Sequence, residues 1–181
     1  MKLKPTAIPE VIEIEPRVFP DDRGFFLESW NQKTFSDNGL DLRFVQDNHT
    51  ESVRDSLRGL SYQLERPQGK LVRVVAGSVF DVAVDLRHGS ASFGRAVSVE
   101  LSADRHNMLW IPAGFAHGYL VTSDRAVLLY SCTDLYHPAD ERTLLWSDPA
   151  LGIDWPLAGV EPLVSDKDAA GKLLADAETY P

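Results

Sequence analysis

The clearest pattern in the chain is an alternation of apolar and polar residues from Lys70 to Arg87, in the segment KLVRVVAGSVFDVAVDLR. Successive side chains of an extended strand point to opposite faces, so Phe80, Val82, Val84 and Leu86 share one face. Asp81 and Asp85 share the other face, which predicts a strand half-buried on a core. Ala76-Gly77-Ser78 interrupts the run and predicts a hairpin turn, because Gly accepts the positive φ of tight turns.

Similar short apolar runs follow, separated by Gly, Pro, Asp or Ser, in GRAVSVEL, NMLWIP, HGYLVTS and AVLLYSCTDLY. This spacing is typical of an all-β sandwich or barrel. Helical pattern is scarce: KTFSDNG predicts a short turn of helix, and KDAAGKLLADAE from Lys167 has helix-forming composition. We find no repeat, low-complexity tract or linker, so we expect one domain over residues 1–181.

The excess of acidic residues narrows the classes of partner. A net charge of -9 and a pI near 4.9 disfavour binding to nucleic acid or to an anionic membrane surface. A local cluster of Arg and Lys in a cleft would still accept an anionic small ligand. No run approaches the ~20 apolar residues of a membrane-spanning helix, and the N-terminal segment lacks an apolar stretch of signal-peptide length. We therefore expect a soluble, cytoplasmic protein.

Polar side chains cluster in two neighbouring parts of the sequence. FVQDNH contains Gln46 and Asn48 and fits either a polar turn or a site that binds hydroxyls or a pyrophosphate. LRGLSYQ and QGKLVR supply Arg58, Gln63 and Lys70, which would line one concave face if they lie on neighbouring strands, or else are outward-facing residues. A Lys held near a carbonyl also stabilises an enolate oxygen.

Four later residues carry groups suited to acid–base chemistry or to a pocket wall. His117, in WIPAGFAHGYL, is either structural or catalytic. Tyr130 and Tyr136 are six residues apart and would share a face of a continuous strand, either as core or as an acid and a stacking wall. Asp168 would orient a His or Lys, or would simply be the acidic first turn of a helix.

Two other patterns bear on ligands. DDRGFF places Arg23 beside Phe25 and Phe26, which fits either a turn or a ligand that carries a phosphate and a flat ring. The five histidines include no H-x-H or H-x-x-x-H pair, and this spacing disfavours a metal site. The single Cys132 excludes an internal disulfide.

Together these segments resemble the dTDP-4-dehydrorhamnose 3,5-epimerase family in family order along nearly the whole chain. The resemblance implies an isomerase with a cupin-type β jelly roll and short peripheral helices, a dTDP-sugar substrate, no metal or cofactor, and usually a homodimer. Its motifs are AIPEVIEIEPRVFPDDRGFFLESWN, FVQDNH, LRGL-YQ, QGKLVR, VFDVAVDLR, FGR, LSAD, LWIPAGFAHGYLV, LLY--TD-Y, W-DP-LGIDWP and S-KD.

The resemblance also implies roles for individual residues. Lys70 would stabilise the enolate at C4 of the sugar, Tyr130 would return a proton from the opposite face, and Asp168 would pair with the catalytic base. The residues implied in binding the sugar nucleotide, the first three partly across a dimer interface, are Arg23, Phe26, Glu28, Gln46, Asn48, Arg58, His117 and Tyr136.

The sequence departs from the family at the catalytic base, which is the His of LRGLHYQ and is Ser61 here. A hydroxyl without an adjacent base does not accept a carbon-bound proton near neutral pH, and loss of a general base typically costs ~10²–10⁴-fold in rate. Ser131, where the resemblance implies a Lys after the acid Tyr, is a second departure, on what we expect to be a neighbouring strand. We therefore expect an impaired epimerase.

Alternatives remain open. A divergent epimerase, acting at one carbon only, would recruit His117, His49 or a water held by Ser61 and Asp168. A non-catalytic relative would only bind the sugar nucleotide. Outside this family, a metal-dependent cupin oxygenase would need a metal triad that the His spacing does not offer, and a structural jelly roll would leave the basic and Tyr residues unrelated.

Overall fold

The computed structural model describes residues Met1–Pro181, and β-strands dominate it. Two short α-helices, α1 (Gln32–Asp37) and α2 (Asp166–Ala169), and three 3₁₀ turns (Pro138–Asp140, Pro149–Leu151 and Leu174–Asp176) lie at the periphery. The strands are β1 (Lys2–Pro5), β2 (Ile12–Glu15), β3 (Val18–Asp21), β4 (Gly24–Leu27), β5 (Gln46–Val53), β6 (Ser56–Gln63), β7 (Lys70–Ala76), β8 (Ser78–Asp85), β9 (Ala96–Ser102), β10 (Met108–Ile111), β11 (Phe115–Val121), β12 (Arg125–Cys132), β13 (Glu141–Thr143) and β14 (Leu163–Val164).

Twelve of these strands form two facing sheets. The first sheet has the spatial order β1-β2-β10-β7-β12-β5, with every pair antiparallel. The second has the order β13-β6-β11-β8-β9, with β14 added in parallel to β6. Strands β3 and β4 form a separate hairpin. The predicted all-β, cupin-type jelly roll with short peripheral helices is confirmed.

The apolar residues form three clusters that explain why both faces of β8 are buried. The largest cluster lies between the two sheets and includes Val79 and Ala83, while Val82 and Val84 belong to a second cluster on the outer face. A third cluster covers the other sheet beneath α1. The prediction that β8 is half-buried is therefore wrong: even Asp81 and Asp85 have no exposed surface.

The predicted hairpin at Gly77 is also wrong, although the chain does turn there. Strand β7 ends at Ala76 in the first sheet and β8 begins at Ser78 in the second, so the turn passes between sheets. Gly77 has φ +75°, and an added Cβ would lie 2.1 Å from the carbonyl oxygen of Arg125. Only glycine fits this close approach of two chain segments.

The two predicted helical segments differ in outcome. The turn of helix in KTFSDNG is confirmed as α1, which is capped by the side chain of Asn31. The C-terminal segment forms only α2 and a 3₁₀ turn, because Gly171 packs against the backbone of Leu144 and Lys172 bridges to that residue. None of the helices is long and apolar enough to cross a membrane.

Candidate active site

A cavity of about 810 Å³ lies between the sheets. The first sheet contributes polar residues of β5, Lys70 from β7 and Tyr130 from β12. The second sheet contributes Arg58 and Ser61 from β6 and residues of β11, and the segment after β14 contributes Asp168. The cavity thus brings together most of the residues that the sequence singled out, from segments far apart in the chain.

A β-bulge in β6 makes this arrangement possible. Arg58 pairs with Tyr119 of β11, and Ser61 pairs with His117. The two pairs are therefore three residues apart on β6 but only two residues apart on β11. Without the extra residue, Arg58 and Ser61 would point to opposite faces of the sheet. Gly59 within the bulge has φ +103°, and an added Cβ would lie 2.5 Å from the His117 carbonyl oxygen. A glycine therefore allows β6 to approach β11 this closely.

Ser61 and Asp168 line the same side of the cavity. The Ser61 side chain makes no hydrogen bond within the protein, and Asp168 is 5% exposed. Asp168 Oδ2 accepts a 3.1 Å hydrogen bond from the backbone N–H of Gly59. Asp168 Oδ1 is the one buried side-chain polar atom in the chain without any hydrogen-bond partner. Since buried carboxylate oxygens are normally bonded, a donor is missing at this point.

Lys70 and Tyr130 face the cavity from the other sheet, and burial shifts both of their pKa values. Desolvation lowers the pKa of Lys70, while Cys132, Asp81 and Glu141 oppose that shift by favouring its charged form. Desolvation raises the pKa of Tyr130 to about 12, so its hydroxyl keeps its proton at neutral pH. The cavity therefore offers an ammonium group whose pKa is lowered and a hydroxyl that can donate its proton.

His117 forms a buried pair that sequence reasoning missed. Its Nε2 lies 2.9 Å and 3.0 Å from the two carboxylate oxygens of Asp81 on the adjacent strand β8. His117 is 7% exposed and Asp81 is fully buried. Alternation with apolar residues placed Asp81 on the face of β8 away from the core. The signal that could have indicated a buried pair is a carboxylate within a strand otherwise dominated by apolar residues.

Strand β5 presents alternate side chains to the cavity, so the polar turn expected as one alternative for FVQDNH is wrong, and the binding site stays a prediction. Gln46 and Asn48 line the cavity, and the Gln46 amide nitrogen donates to the Asn48 side-chain oxygen at 3.0 Å. His49 points away from the cavity and is exposed. Gln46 also accepts a hydrogen bond from the backbone of Tyr136, which fixes the loop after β12.

Arg58, Gln63 and Tyr136 also line the cavity, but they differ in how many of their polar groups already form hydrogen bonds within the protein. Arg58 Nε donates to Ser52 Oγ at 2.9 Å, and its two terminal nitrogens make no hydrogen bond within the protein. The Gln63 amide, in contrast, is occupied by three backbone groups. Tyr136 lies beyond the end of β12, so its position beside Tyr130 comes from a loop and not from a continuous strand.

Arg23, Phe26 and Glu28 do not reach the cavity of this chain. Arg23 lies at the turn of the β3–β4 hairpin and pairs with Asp21 at 2.6 Å. Phe26 is 68% exposed on the same hairpin, and Glu28 accepts a 3.0 Å hydrogen bond from Asn31 just beyond it. The hairpin therefore presents exposed aromatic rings at the surface of the chain and not in the cavity.

Ser131 has no place in the cavity. It follows Tyr130, so its side chain points to the opposite face of β12, where its hydroxyl donates to Asp47. It also lies in a different sheet from Ser61, and the expectation that the two departures occupy neighbouring strands is wrong. Nowhere in the chain do three or more His, Cys, Asp or Glu side chains come together in an arrangement that would hold a metal.

Comparison with known proteins agrees with this geometry. The family profile described as dTDP-4-dehydrorhamnose 3,5-epimerase matches residues 5–176. The chain belongs to this family. It is 56% identical over 182 residues to the dTDP-4-dehydrorhamnose 3,5-epimerase of Pseudomonas aeruginosa, and the match covers 100% of both chains.

Solved structures of epimerases have the same fold. A Legionella pneumophila dTDP-6-deoxy-D-glucose-3,5-epimerase in complex with dTDP-4-keto-L-rhamnose superposes with a TM-score of 0.94 at 49% identity, covering 98% of this chain and 94% of the other. A 3'-monoepimerase from Streptomyces bikiniensis in complex with dTDP-quinovose has a TM-score of 0.88 at 36% identity, covering 94% and 87%. The chain is thus similar to epimerases of two kinds.

Proposed function

We propose that this member of the epimerase family binds a dTDP-linked 4-keto-6-deoxyhexose between its sheets, and that proton removal beside the C4 ketone is impaired because position 61 is a serine. The observation that carries the proposal is the buried, unbonded Oδ1 of Asp168, a residue that lines the same cavity as Ser61, whose hydroxyl is also unbonded. A buried carboxylate that lacks one donor is the expected consequence of losing a hydrogen-bonding base from its partner position.

The rest of the cavity suits the reaction. The ketone acidifies the protons on C3 and C5, and a cation at the C4 oxygen stabilises the enolate that forms. Lys70 is the cation in our proposal. Tyr130 faces Ser61 from the opposite sheet, and its raised pKa of about 12 keeps it protonated, as an acid that delivers a proton to the other ring face must be.

The nucleotide end of the ligand is assigned to the polar rim. Arg58 has two terminal nitrogens free for bidentate binding of a phosphate, and this favours it as a pyrophosphate ligand. Gln46 and Asn48 would bind oxygens of the sugar nucleotide, with Tyr136 and its exposed ring as a stacking wall. The relative from Legionella, which holds a dTDP-sugar, supports this class of ligand.

We further propose that the chain is a homodimer. Phe19, Phe25 and Phe26 are all more than two-fifths exposed on the β3–β4 hairpin, and such a cluster is typical of a surface that packs against a partner. In a dimer, Arg23, Phe26 and Glu28 would help to hold the nucleotide in the cavity of the other subunit. Sedimentation of the chain and of Phe26→Ser tests this: a dimer that Phe26→Ser weakens is expected, and a monomeric parent chain would contradict it.

Binding of the nucleotide is tested by calorimetric titration with dTDP. We expect saturable binding by the parent chain and binding at least about 10-fold weaker by Arg58→Met, because a charge-assisted hydrogen bond contributes about 1.5–3 kcal/mol. Arg54→Met is the matched control, because Arg54 is an exposed arginine paired with Asp124 and does not line the cavity. Equal affinities in the three proteins, or no binding by the parent chain, would contradict the assignment.

The chief alternative is an epimerase that acts at a single carbon and uses another base. The similarity of this chain to a 3'-monoepimerase supports this alternative. A non-catalytic binding protein is less well supported, because it has no use for a protonated Tyr130 beside Lys70 on the sheet that faces Ser61. Proton NMR of the sugar after incubation distinguishes the cases by the carbons at which inversion occurs.

A further inference from the structure

His117 is the only histidine that lines the cavity. His49 lies on the outer side of β5, and His88 and His106 stack on Phe93 and Phe25. If proton removal in this chain depends on an imidazole, His117 is therefore the one in position. The remaining question is whether its free nitrogen and its orientation suit that task.

The hydrogen bonds of His117 determine which ring nitrogen is basic. A carboxylate only accepts hydrogen bonds, so Nε2 must donate to Asp81. In the neutral ring the proton is then on Nε2, and Nδ1 has the free lone pair. Nδ1 has no partner in the protein, and it is not among the buried unbonded atoms, so it is open to the cavity. A buried carboxylate behind an imidazole fixes the tautomer and stabilises the imidazolium that forms.

The position of His117 relative to Ser61 is also suitable. The two residues are directly paired across β11 and β6, and side chains at such paired positions have Cβ atoms about 4.5–5.5 Å apart. A histidine at position 61 would occupy the space beside His117, and the serine leaves that space open. Tyr130 lies in the facing sheet, so a ring bound between the sheets has His117 on one side and Tyr130 on the other.

We propose that His117, oriented by Asp81, is the catalytic base of this chain and supports a slow residual enolisation. The inference rests on the proposed function. Nδ1 takes the proton as the C–H bond at C3 or C5 breaks, and the electron pair moves onto the C4 oxygen beside Lys70. The enolate then takes a proton from the Tyr130 hydroxyl on its other face. The tyrosinate and the imidazolium return to their starting forms by proton exchange with water, so no further reactant is needed.

The test compares two backgrounds, the parent chain and Ser61→His, by deuterium incorporation into dTDP-4-keto-6-deoxy-D-glucose. His117→Gln is introduced into each, because its amide nitrogen can still donate to Asp81 while no base remains. We expect His117→Gln to reduce exchange by the parent chain at least about 10-fold, to the buffer blank, since general bases contribute typically ~10²–10⁴-fold. In the Ser61→His background, where the new histidine is the base, we expect a much smaller loss.

Three results would overturn the inference: no exchange by the parent chain above the blank, no effect of His117→Gln on it, or an equal loss in both backgrounds. The last would mean that His117 only binds substrate or supports the fold. Circular dichroism checks that each variant is folded. Failure of the proposed function is a separate outcome, recognised by absence of dTDP binding and of exchange by Ser61→His.

Asp81→Asn in the parent chain provides a readout that does not remove the imidazole. Asparagine at position 81 removes the negative charge that stabilises the imidazolium, whether its amide oxygen or its amide nitrogen faces Nε2. We expect exchange to fall to the blank, as it does in His117→Gln. Exchange that persists in a folded Asp81→Asn protein would contradict a base role for Nδ1.

Discussion

Asp85 and Asp168 are both buried carboxylates, but their surroundings differ completely. Asp85 has no exposed surface, and its two oxygens accept five hydrogen bonds, from Arg87, Ser90 and Ser92. Burial opposes its ionisation, yet these hydrogen bonds hold its pKa well below the usual range. Asp168 is buried to nearly the same degree, has one hydrogen bond, from Gly59, and leaves one oxygen unbonded.

The comparison distinguishes a carboxylate that stabilises the fold from one that is placed to bind a partner. A carboxylate whose oxygens are all bonded stabilises the loop that surrounds it and has no capacity left for a ligand. A carboxylate with an unbonded oxygen beside a cavity costs stability and marks a place where a partner is expected. In this chain the missing partner coincides with Ser61, the position at which we propose that the base has been lost.

Substituting the two aspartates should change the free energy of unfolding by very different amounts. Asp85→Asn removes the buried charge to which Arg87 donates, leaves that guanidinium only the exposed Glu10 as an ion-pair partner, and should lower the free energy of unfolding by about 3–5 kcal/mol. Asp168→Asn removes the charge of a carboxylate that has one unbonded oxygen, so the free energy of unfolding should change by no more than about 1 kcal/mol. Urea unfolding measures both values. Equal destabilisation by the two substitutions would break the comparison.

Removing Lys70 tests whether the cavity is built for an enolate. In the Ser61→His background, Lys70→Met should lower the rate of exchange by about 10²–10³-fold, the usual effect of losing one group that stabilises an oxyanion. The control is Lys33→Met, which removes an exposed lysine of α1 paired with Asp37. A loss of less than about 3-fold, small beside the range expected for an oxyanion donor, would argue against the assigned role.

Free imidazole should partly replace the absent side chain in the parent chain. The expected gain in exchange is about 10-fold, well below that of a tethered base, because an unlinked reagent lacks the advantage of proximity. The gain should saturate with imidazole concentration. It should disappear in Asp168→Asn, because the carboxylate that would bind and orient the imidazole is then replaced by an amide. A linear increase that is identical in both proteins would indicate general buffer catalysis only.

The pH dependence of exchange should reflect the lowered pKa of Lys70. The cationic form of Lys70 is lost as pH rises through that pKa. The rate of exchange should therefore begin to fall at a pH lower than 10.5, the ordinary pKa of lysine. The acid Tyr130, with a pKa raised to about 12, remains protonated through the same range. Exchange by Ser61→His as a function of pH measures this, and an alkaline limb at or above 10.5 would contradict it.

Most of the candidate site residues that the sequence singled out line one cavity, but the contacts that place them could not be predicted from it. Alternation in β8 is real, yet Asp81 and Asp85 are inside because His117 and Arg87 pair with them, and periodicity does not report pairing. The bulge that puts Arg58 and Ser61 on one face depends on β11. Asp168 meets Gly59 across 109 positions of sequence, so no local pattern could have indicated its unbonded oxygen.

The central claim is that the cavity is an epimerase site whose principal base is missing at Ser61. Its most direct test is proton NMR of dTDP-4-keto-6-deoxy-D-glucose in deuterated buffer, following exchange at C3 and C5 with the parent chain and with Ser61→His. The account predicts exchange at least about 10²-fold faster with Ser61→His, in which Asp168 Oδ1 gains its donor. A folded Ser61→His protein that exchanges no faster than the parent chain would contradict it.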